Sequence, residues 1–164
     1  MKTVVIAAVT ALLFASGAYA GELKFPSDAP VASVTFPDDW TSAKETDSGI
    51  DATSPDDSIY LAVDAADAKD TDAVVTDAVN YLAGQGVTVD STTAKQNEGT
   101  LNGMKVFNVD WEGTDKDGPV SISLAAVVVN AEKVLVVTYW GTKGEQDKNA
   151  AAMNTIVNSL KPAG

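Results

Sequence analysis

The 164-residue sequence contains no cysteine, no histidine and no arginine, and each absence excludes a kind of chemistry. Without cysteine there is no disulfide, no thiolate metal ligand and no lipid attachment at a mature N-terminus. Without histidine the chain lacks the commonest general base and the commonest ligand of transition metals. Without arginine it lacks the side chain that holds phosphate or carboxylate groups with two parallel hydrogen bonds.

Positive charge is also scarce, because 11 lysines face 23 carboxylates and the formal net charge is −12. Such a chain repels nucleic acid and anionic lipid, so we exclude nucleic-acid binding. The carboxylates are concentrated between Asp38 and Asp77, where Lys44 and Lys69 are the only basic residues. An acidic stretch of this kind is usually a solvated surface that favours solubility. The alternative interpretation is an acidic face for a cationic partner or a divalent cation.

The first twenty residues, MKTVVIAAVTALLFASGAYA, have the order of a secretory signal peptide. Lys2 is followed by an apolar run that ends at Ala15, and residues 18–20 form an A-x-A cleavage site. The apolar run is shorter than the roughly 18 to 20 residues that a membrane-spanning helix needs. We therefore predict cleavage after Ala20 and a periplasmic or secreted mature chain with no transmembrane segment.

The mature chain, residues 21–164, is predicted to form a single α+β domain whose core covers residues 31–161. Apolar residues at helical spacing predict a helix over residues 71–83 and a final helix over about residues 145–160. Alternating or continuous apolar runs predict strands at residues 31–36, 40–46, 50–54, 59–63, 93–101, 105–112, 120–129 and 133–140. Asn102-Gly103, between two of these strands, predicts a hairpin turn. We expect an antiparallel β-sheet meander packed between amphipathic helices, with the last two strands at its centre.

The run DKDG, Asp115 to Gly118, looks like part of a calcium-binding loop. If Gly118 is aligned with the invariant glycine of such a loop, Gly113 takes the first ligand position and Leu124 takes the position of the bidentate glutamate. Two ligands are therefore missing. A turn between strands explains the same residues, because aspartate and glycine tolerate positive φ. We predict a hairpin turn here, and we place Trp111, just before it, toward the core with Phe107.

No motif predicts catalysis, and we assign no catalytic residue, no cofactor and no metal site. Gly144 is followed by Glu145, so the spacing of a Walker phosphate-binding loop is not met and a kinase role is not supported. Neither G-x-S-x-G nor S-x-x-K occurs. A hydrolase that needs no histidine, using carboxylates or a Ser-Lys pair, is kept only as a second alternative.

Candidate contact residues lie in two acidic turns. Asp38 and Asp39 precede Trp40, and Asp56 and Asp57 follow a proline in a later turn. Large aromatic side chains usually pack in a core. The alternative for Trp40 is an exposed position, where it would anchor a partner beside its two carboxylates. These five residues are therefore the predicted partner contacts.

The order of elements resembles the PsbP/Mog-like (DcrB-like) superfamily of small α+β proteins. The likeness runs from Val31 to Lys161 and rests on the FPDDW element, the mid-chain helix, the meander that ends in VLVVTYW, and the terminal TIVNSLK helix. It implies an antiparallel sheet packed between helices and non-enzymatic work by binding other proteins. The histidine-ligated metal of plant PsbP and the lipid anchor of some bacterial relatives cannot be carried over, because the chain has neither histidine nor cysteine.

Together these observations predict a non-enzymatic, exported binding or accessory protein. Its expected partner is an envelope protein or a small ligand. A divalent-cation-binding protein is the first alternative.

Overall fold

The structure is a computed structural model that describes residues 21–164, and strands make up most of it. The predicted signal peptide lies outside the described residues. In chain order the elements are β1 Glu22–Phe25, β2 Ala32–Thr35, β3 Lys44–Glu45, β4 Gly49–Thr53, β5 Ile59–Asp67, α1 Thr71–Gly84, β6 Thr88–Leu101, β7 Met104–Asp115, β8 Gly118–Val128, β9 Lys133–Thr142, α2 Gln146–Ser159 and β10 Lys161–Pro162. Both predicted helices are confirmed to within a residue or so at each end.

The strands form two antiparallel sheets. The large sheet has seven strands in the order β3-β4-β5-β9-β8-β7-β6, and the small sheet has three in the order β1-β2-β10. The prediction that β8 and β9 are central is confirmed. Leu135 and Val136 on β9 point to opposite faces and are both fully buried, so the sheet is covered on both sides there.

The larger core lies on one face of the large sheet. Leu61 and Leu135 of the large sheet pack there with Phe25 and Val34 of the small sheet and with Ile156 of α2. The α+β class with an antiparallel sheet is therefore confirmed. However, α2 packs mainly against β2 of the small sheet, so the small sheet and α2 share this face.

The other face of the large sheet carries α1, which packs against β5 and β9. Ala78 and Leu82 are its buried residues. Leu82 belongs to a second, smaller core with Val120 and Ile122, against which Trp111 and Trp140 pack. This face holds the candidate site described below.

Three details of the sequence interpretation are corrected. The segment before Val31 contains a strand, β1, because Leu23 and Phe25 alternate with charged residues and β1 pairs with β2. The strand predicted over residues 40–46 is reduced to Lys44–Glu45. Phe107 is 44% exposed, because α1 contacts β5 and β9, and β7 lies two strands further along the sheet.

Both predicted hairpin turns are confirmed. Asp115 pairs with Gly118, which leaves Lys116 and Asp117 as a two-residue turn between β7 and β8. Between β6 and β7, Asn102 and Gly103 have φ values of 49° and 82°, as a type I′ turn requires. Within residues 21–164, neither helix has the length and apolar character needed to cross a membrane.

Candidate functional site

Three aromatic side chains form a row beside α1. Tyr60 of β5 lies in the middle, with its ring centroid 5.2 Å from that of Tyr81 on α1 and 5.6 Å from that of Trp140 on β9. Tyr60 and Trp140 are register partners on neighbouring strands, and α1 brings Tyr81 over them. We call these three residues the aromatic row. Burial, and then the neighbouring Tyr81 hydroxyl, raise the pKa of Tyr60, so its hydroxyl stays neutral at physiological pH.

All three rings of the aromatic row line a cavity of about 300 Å³, which we call the turn cavity. The hairpin turn between β7 and β8 forms one wall with Asp115, Lys116 and Asp117, and Asp57 contributes from the turn between β4 and β5. Lys116 forms an ion pair with Asp117. The DKDG run is thus a turn, as predicted, but it is also a charged wall beside three aromatic rings.

Asp115 connects that turn to the aromatic row. Its Oδ2 accepts a hydrogen bond of 3.0 Å from the indole Nε1 of Trp140, and its Oδ1 accepts bonds from the amides of Asp117 and Gly118 at 2.8 and 3.1 Å. Burial acts to raise the pKa of Asp115, but these three donors outweigh it and the pKa lies below its usual value. Asp115 is therefore an ionised residue that fixes the indole and the turn.

A second cavity, of about 420 Å³, lies between α1 and strands β4 and β5, and we call it the helix cavity. It shares Tyr60 and Tyr81 with the turn cavity. Three carboxylates line it, Asp51 of β4, Asp64 of β5 and Asp77 of α1, and its lining contains no lysine.

Asp64 is a half-buried carboxylate on β5. Burial raises its pKa, and repulsion by Asp51 adds to that effect. A hydrogen bond of 2.7 Å from the Ser48 hydroxyl acts in the opposite direction without cancelling them. The helix cavity therefore brings three carboxylates together without a lysine in its lining. The raised pKa of Asp64 reflects the cost of placing negative charge there.

Two buried oxygens at the helix cavity lack a hydrogen-bond partner within residues 21–164. One is Oγ1 of Thr138, a residue that is 2% exposed, and the other is Oδ1 of Asp51. The Thr138 side chain lies on the face of β9 that carries α1 and lines the cavity. A buried polar group without a partner is costly, so both atoms are candidates for contact with a ligand or water.

The predicted contact residues are dispersed. Trp40 is 2% exposed and packs against Phe36, so the interpretation of it as an exposed anchor is wrong: the short turn after β2 directs the indole into the larger core. Asp38 and Asp39 are exposed in that turn and line neither cavity. A partner-contact role for these two aspartates stays a prediction.

The second predicted pair, Asp56 and Asp57, occupies two different environments. Asp56 accepts hydrogen bonds from the hydroxyls of Ser54 and Ser58 at 2.7 Å and contacts Asn149 of α2 at 3.2 Å, and these donors, Ser54 first, lower its pKa. It holds the turn between β4 and β5 together and links it to α2. Asp57 lines the turn cavity and has a φ of 57°, which is rare outside glycine. A partner-contact role for both stays a prediction.

Residues 21–164 contain no group of three or more aspartate and glutamate side chains arranged to hold a metal ion. The acidic half of the chain thus does not converge on an ion. Its carboxylates are spread over the turns between strands, over β3, β4 and β5, and over α1 and the residues just before it.

The aromatic row and the helix cavity were missed by sequence reasoning. Tyr60, Ala62 and Asp64 occupy alternate positions of β5 and therefore lie on one face of the sheet. A carboxylate on a face that a helix covers could have indicated a cavity there. The partners come from α1 and β9, however, and only strand register and helix position bring them together.

The similarity of this chain to known proteins is found in its structure. No family model matches the chain, and no curated protein matches it significantly. The solution structure of cyanobacterial PsbP (CyanoP) from Synechocystis sp. PCC 6803 matches with a TM-score of 0.56 and 10% identity, over 87% of this chain and 92% of that one. LpqN of Mycobacterium tuberculosis, involved in cell envelope biogenesis, matches with a TM-score of 0.53 and 17% identity, over 88% and 91%. A protein of Bacteroides thetaiotaomicron matches with a TM-score of 0.53 and 11% identity, over 81% of this chain and 45% of that one.

At these identities the likeness concerns the fold alone. The predicted resemblance is confirmed at that level: the chain has a PsbP-like α+β fold.

Proposed function

We propose that this chain is a non-enzymatic, exported accessory protein that binds another envelope protein through the aromatic row and the turn cavity. The fold supports an accessory role, because its structural neighbours include PsbP and the envelope-biogenesis protein LpqN. The signal-peptide pattern of residues 1–20 supports export. Mass spectrometry of the mature protein tests export, and the expected first residue is Gly21.

The observation that carries the proposal is the meeting of three aromatic rings with charged residues at the turn cavity. Tyr81 is 41% exposed, so part of the aromatic row is accessible to a partner. Aromatic side chains dominate binding energy at protein interfaces, and rings beside carboxylates suit lysine or arginine side chains. With a net charge of −12, the protein would also attract a basic partner surface and accelerate encounter.

The chemistry of the carboxylates supports binding rather than catalysis. Asp56 has a lowered pKa and is a weak base, although two serine hydroxyls contact it. The helix cavity has no lysine in its lining to stabilise an oxyanion. Negative charge that develops in an acyl- or phosphoryl-transfer transition state would therefore be repelled there.

Capture of partners in intact cells tests the proposal with a lysine-reactive crosslinker and two variants. Val157 on α2 is 39% exposed, so Val157→Ala is a matched control for Tyr81→Ala. We expect the wild type and Val157→Ala to capture the same protein, and Tyr81→Ala to capture about ten-fold less, as loss of an interface anchor predicts. Equal capture by all three proteins would contradict the proposal.

A further inference from the structure

We propose that the helix cavity binds a primary alkylammonium group, carried by a small amine or by a lysine side chain. This inference goes beyond the partner contact at the turn cavity and does not depend on it. It rests on the charge of the cavity walls, on two buried oxygens that receive no hydrogen bond within residues 21–164, and on the mixture of carboxylates with apolar groups.

The walls favour a cation. Asp51, Asp64 and Asp77 line the cavity without a lysine among the lining residues. Within residues 21–164, Oδ1 of Asp51 forms an ion pair of 3.7 Å with the Lys44 ammonium, whose side chain is mostly exposed. At that distance, and with the lysine mostly exposed, the pair offsets only part of the charge of Asp51, so negative charge in the cavity is left for a ligand.

The two buried oxygens without a hydrogen bond indicate that the cation carries N–H donors. Within the described chain, Oγ1 of Thr138 and Oδ1 of Asp51 are buried and receive no hydrogen bond. A primary ammonium has three N–H donors, enough to reach both oxygens and the carboxylate of Asp64. Its positive charge would also relieve the repulsion between Asp51 and Asp64.

Two other cations fit less well. A divalent metal needs several carboxylates converging on one point, and residues 21–164 offer no such group. A quaternary ammonium has no N–H donor, so both oxygens would remain unpartnered.

The remaining walls suit an alkyl chain. Val74 and Ala78 of α1 and Ala62 of β5 line the cavity, and the rings of Tyr60 and Tyr81 close its border with the turn cavity. A pocket of about 420 Å³ lies in the range of small-molecule sites, which combine apolar walls with a few placed polar groups.

Titration of the mature protein with butylammonium chloride, followed by NMR of the Thr138 and Ala62 methyl groups, tests the proposal. We expect a saturable shift of both methyl signals. The variant Asp64→Asn should weaken binding by at least about ten-fold, because it removes the charge that pairs with the ammonium. Asp77→Asn should weaken it less, since Asp77 is exposed. Asp72→Asn, on the same helix but outside the cavity lining, is the control and should bind like the wild type.

Tetramethylammonium and calcium chloride, titrated in parallel, separate the proposed chemistry from general attraction of cations. Binding of either one as tightly as butylammonium would overturn the proposal, and so would a linear, non-saturating shift. A lysine-containing peptide distinguishes the two sources of the ammonium group: tighter binding of the peptide than of butylammonium indicates a protein ligand, and the reverse indicates a small amine. Because Asp64→Asn leaves the exposed Tyr81 unchanged, this test and the partner-capture test can fail separately.

Discussion

The hydrogen bond between Trp140 and Asp115 should couple the aromatic row to the hairpin turn, and a double-mutant cycle measures that coupling. Trp140→Phe removes the indole N–H that donates to Asp115 over 3.0 Å. Asp115→Ala removes the acceptor together with the bonds to the amides of Asp117 and Gly118. The double variant lacks both groups, so the cycle isolates the indole–carboxylate interaction from the packing and turn effects of the single variants.

A hydrogen bond to a charged group stabilises a protein by about 1.5–3 kcal/mol. Asp115 keeps two backbone donors when the indole is lost, so we expect a coupling near the lower limit, about 1.5 kcal/mol. Trp140→Phe should also lose packing around Ile122, so its own destabilisation should exceed the coupling. For a chain of this size, the coupling corresponds to about 3–6 °C in Tm.

Urea unfolding of the four proteins at pH 7 and at lower pH gives the coupling and its pH dependence. The folded-state pKa of Asp115 lies below its unfolded value, which is about 3.9. The stabilisation is therefore fully present above the unfolded pKa and is lost as the pH falls through the folded pKa. A coupling below about 0.5 kcal/mol at pH 7 would refute the reasoning, because that is the usual error of additivity between independent sites.

Three further predictions concern stability and are measured by urea unfolding. Leu135→Ala should cost about 2–5 kcal/mol, because Leu135 is fully buried, whereas Val157→Ala on the surface of α2 should cost far less; similar losses would contradict the described core. Asn102→Ala should cost about 1–3 kcal/mol, since its side chain donates to two carbonyl oxygens at the end of α2 at 2.9 and 2.7 Å and its φ is positive; no loss would contradict that tie. Asp56→Asn should destabilise the protein at pH 7, and the difference should shrink as the pH falls through the lowered pKa of Asp56. Asp57→Asn is its control, because the Asp57 side chain accepts no such bonds from residues 21–164; equal effects of the two changes would contradict the role of Asp56.

Periodicity alone predicted much of the fold. The central strands β8 and β9 were identifiable because they are apolar on both faces, and α1 because its apolar residues recur at helical spacing. Turn chemistry predicted both hairpins, since Asn102-Gly103 and the DKDG run need backbone conformations that few residues adopt.

Short elements were beyond that reasoning. β1 has four residues and is stabilised by its pairing with β2, so its own sequence carries little signal. The register shift of β6 between Asp90 and Lys95 likewise follows from pairing with β7. The core position of Trp40 agrees with the usual packing of large aromatic side chains, and only its exposed alternative was wrong.

The candidate site could not be predicted for a related reason. Tyr60, Tyr81 and Trp140 lie far apart in the sequence, and they meet because β5 pairs with β9 and α1 crosses over both. The acidic composition indicated a cationic partner, but only the structure separates structural carboxylates, such as Asp56, from those that line a cavity, such as Asp64.

Site-specific photo-crosslinking tests the central claim, partner binding at the aromatic row, most directly. A photoreactive amino acid replaces Tyr81 in one protein and Val157, which is similarly exposed on the other helix, in a second protein. Irradiation of intact cells followed by mass spectrometry should give a defined adduct at position 81 and none at position 157. An adduct at position 157 alone, or no adduct at position 81, would contradict the account.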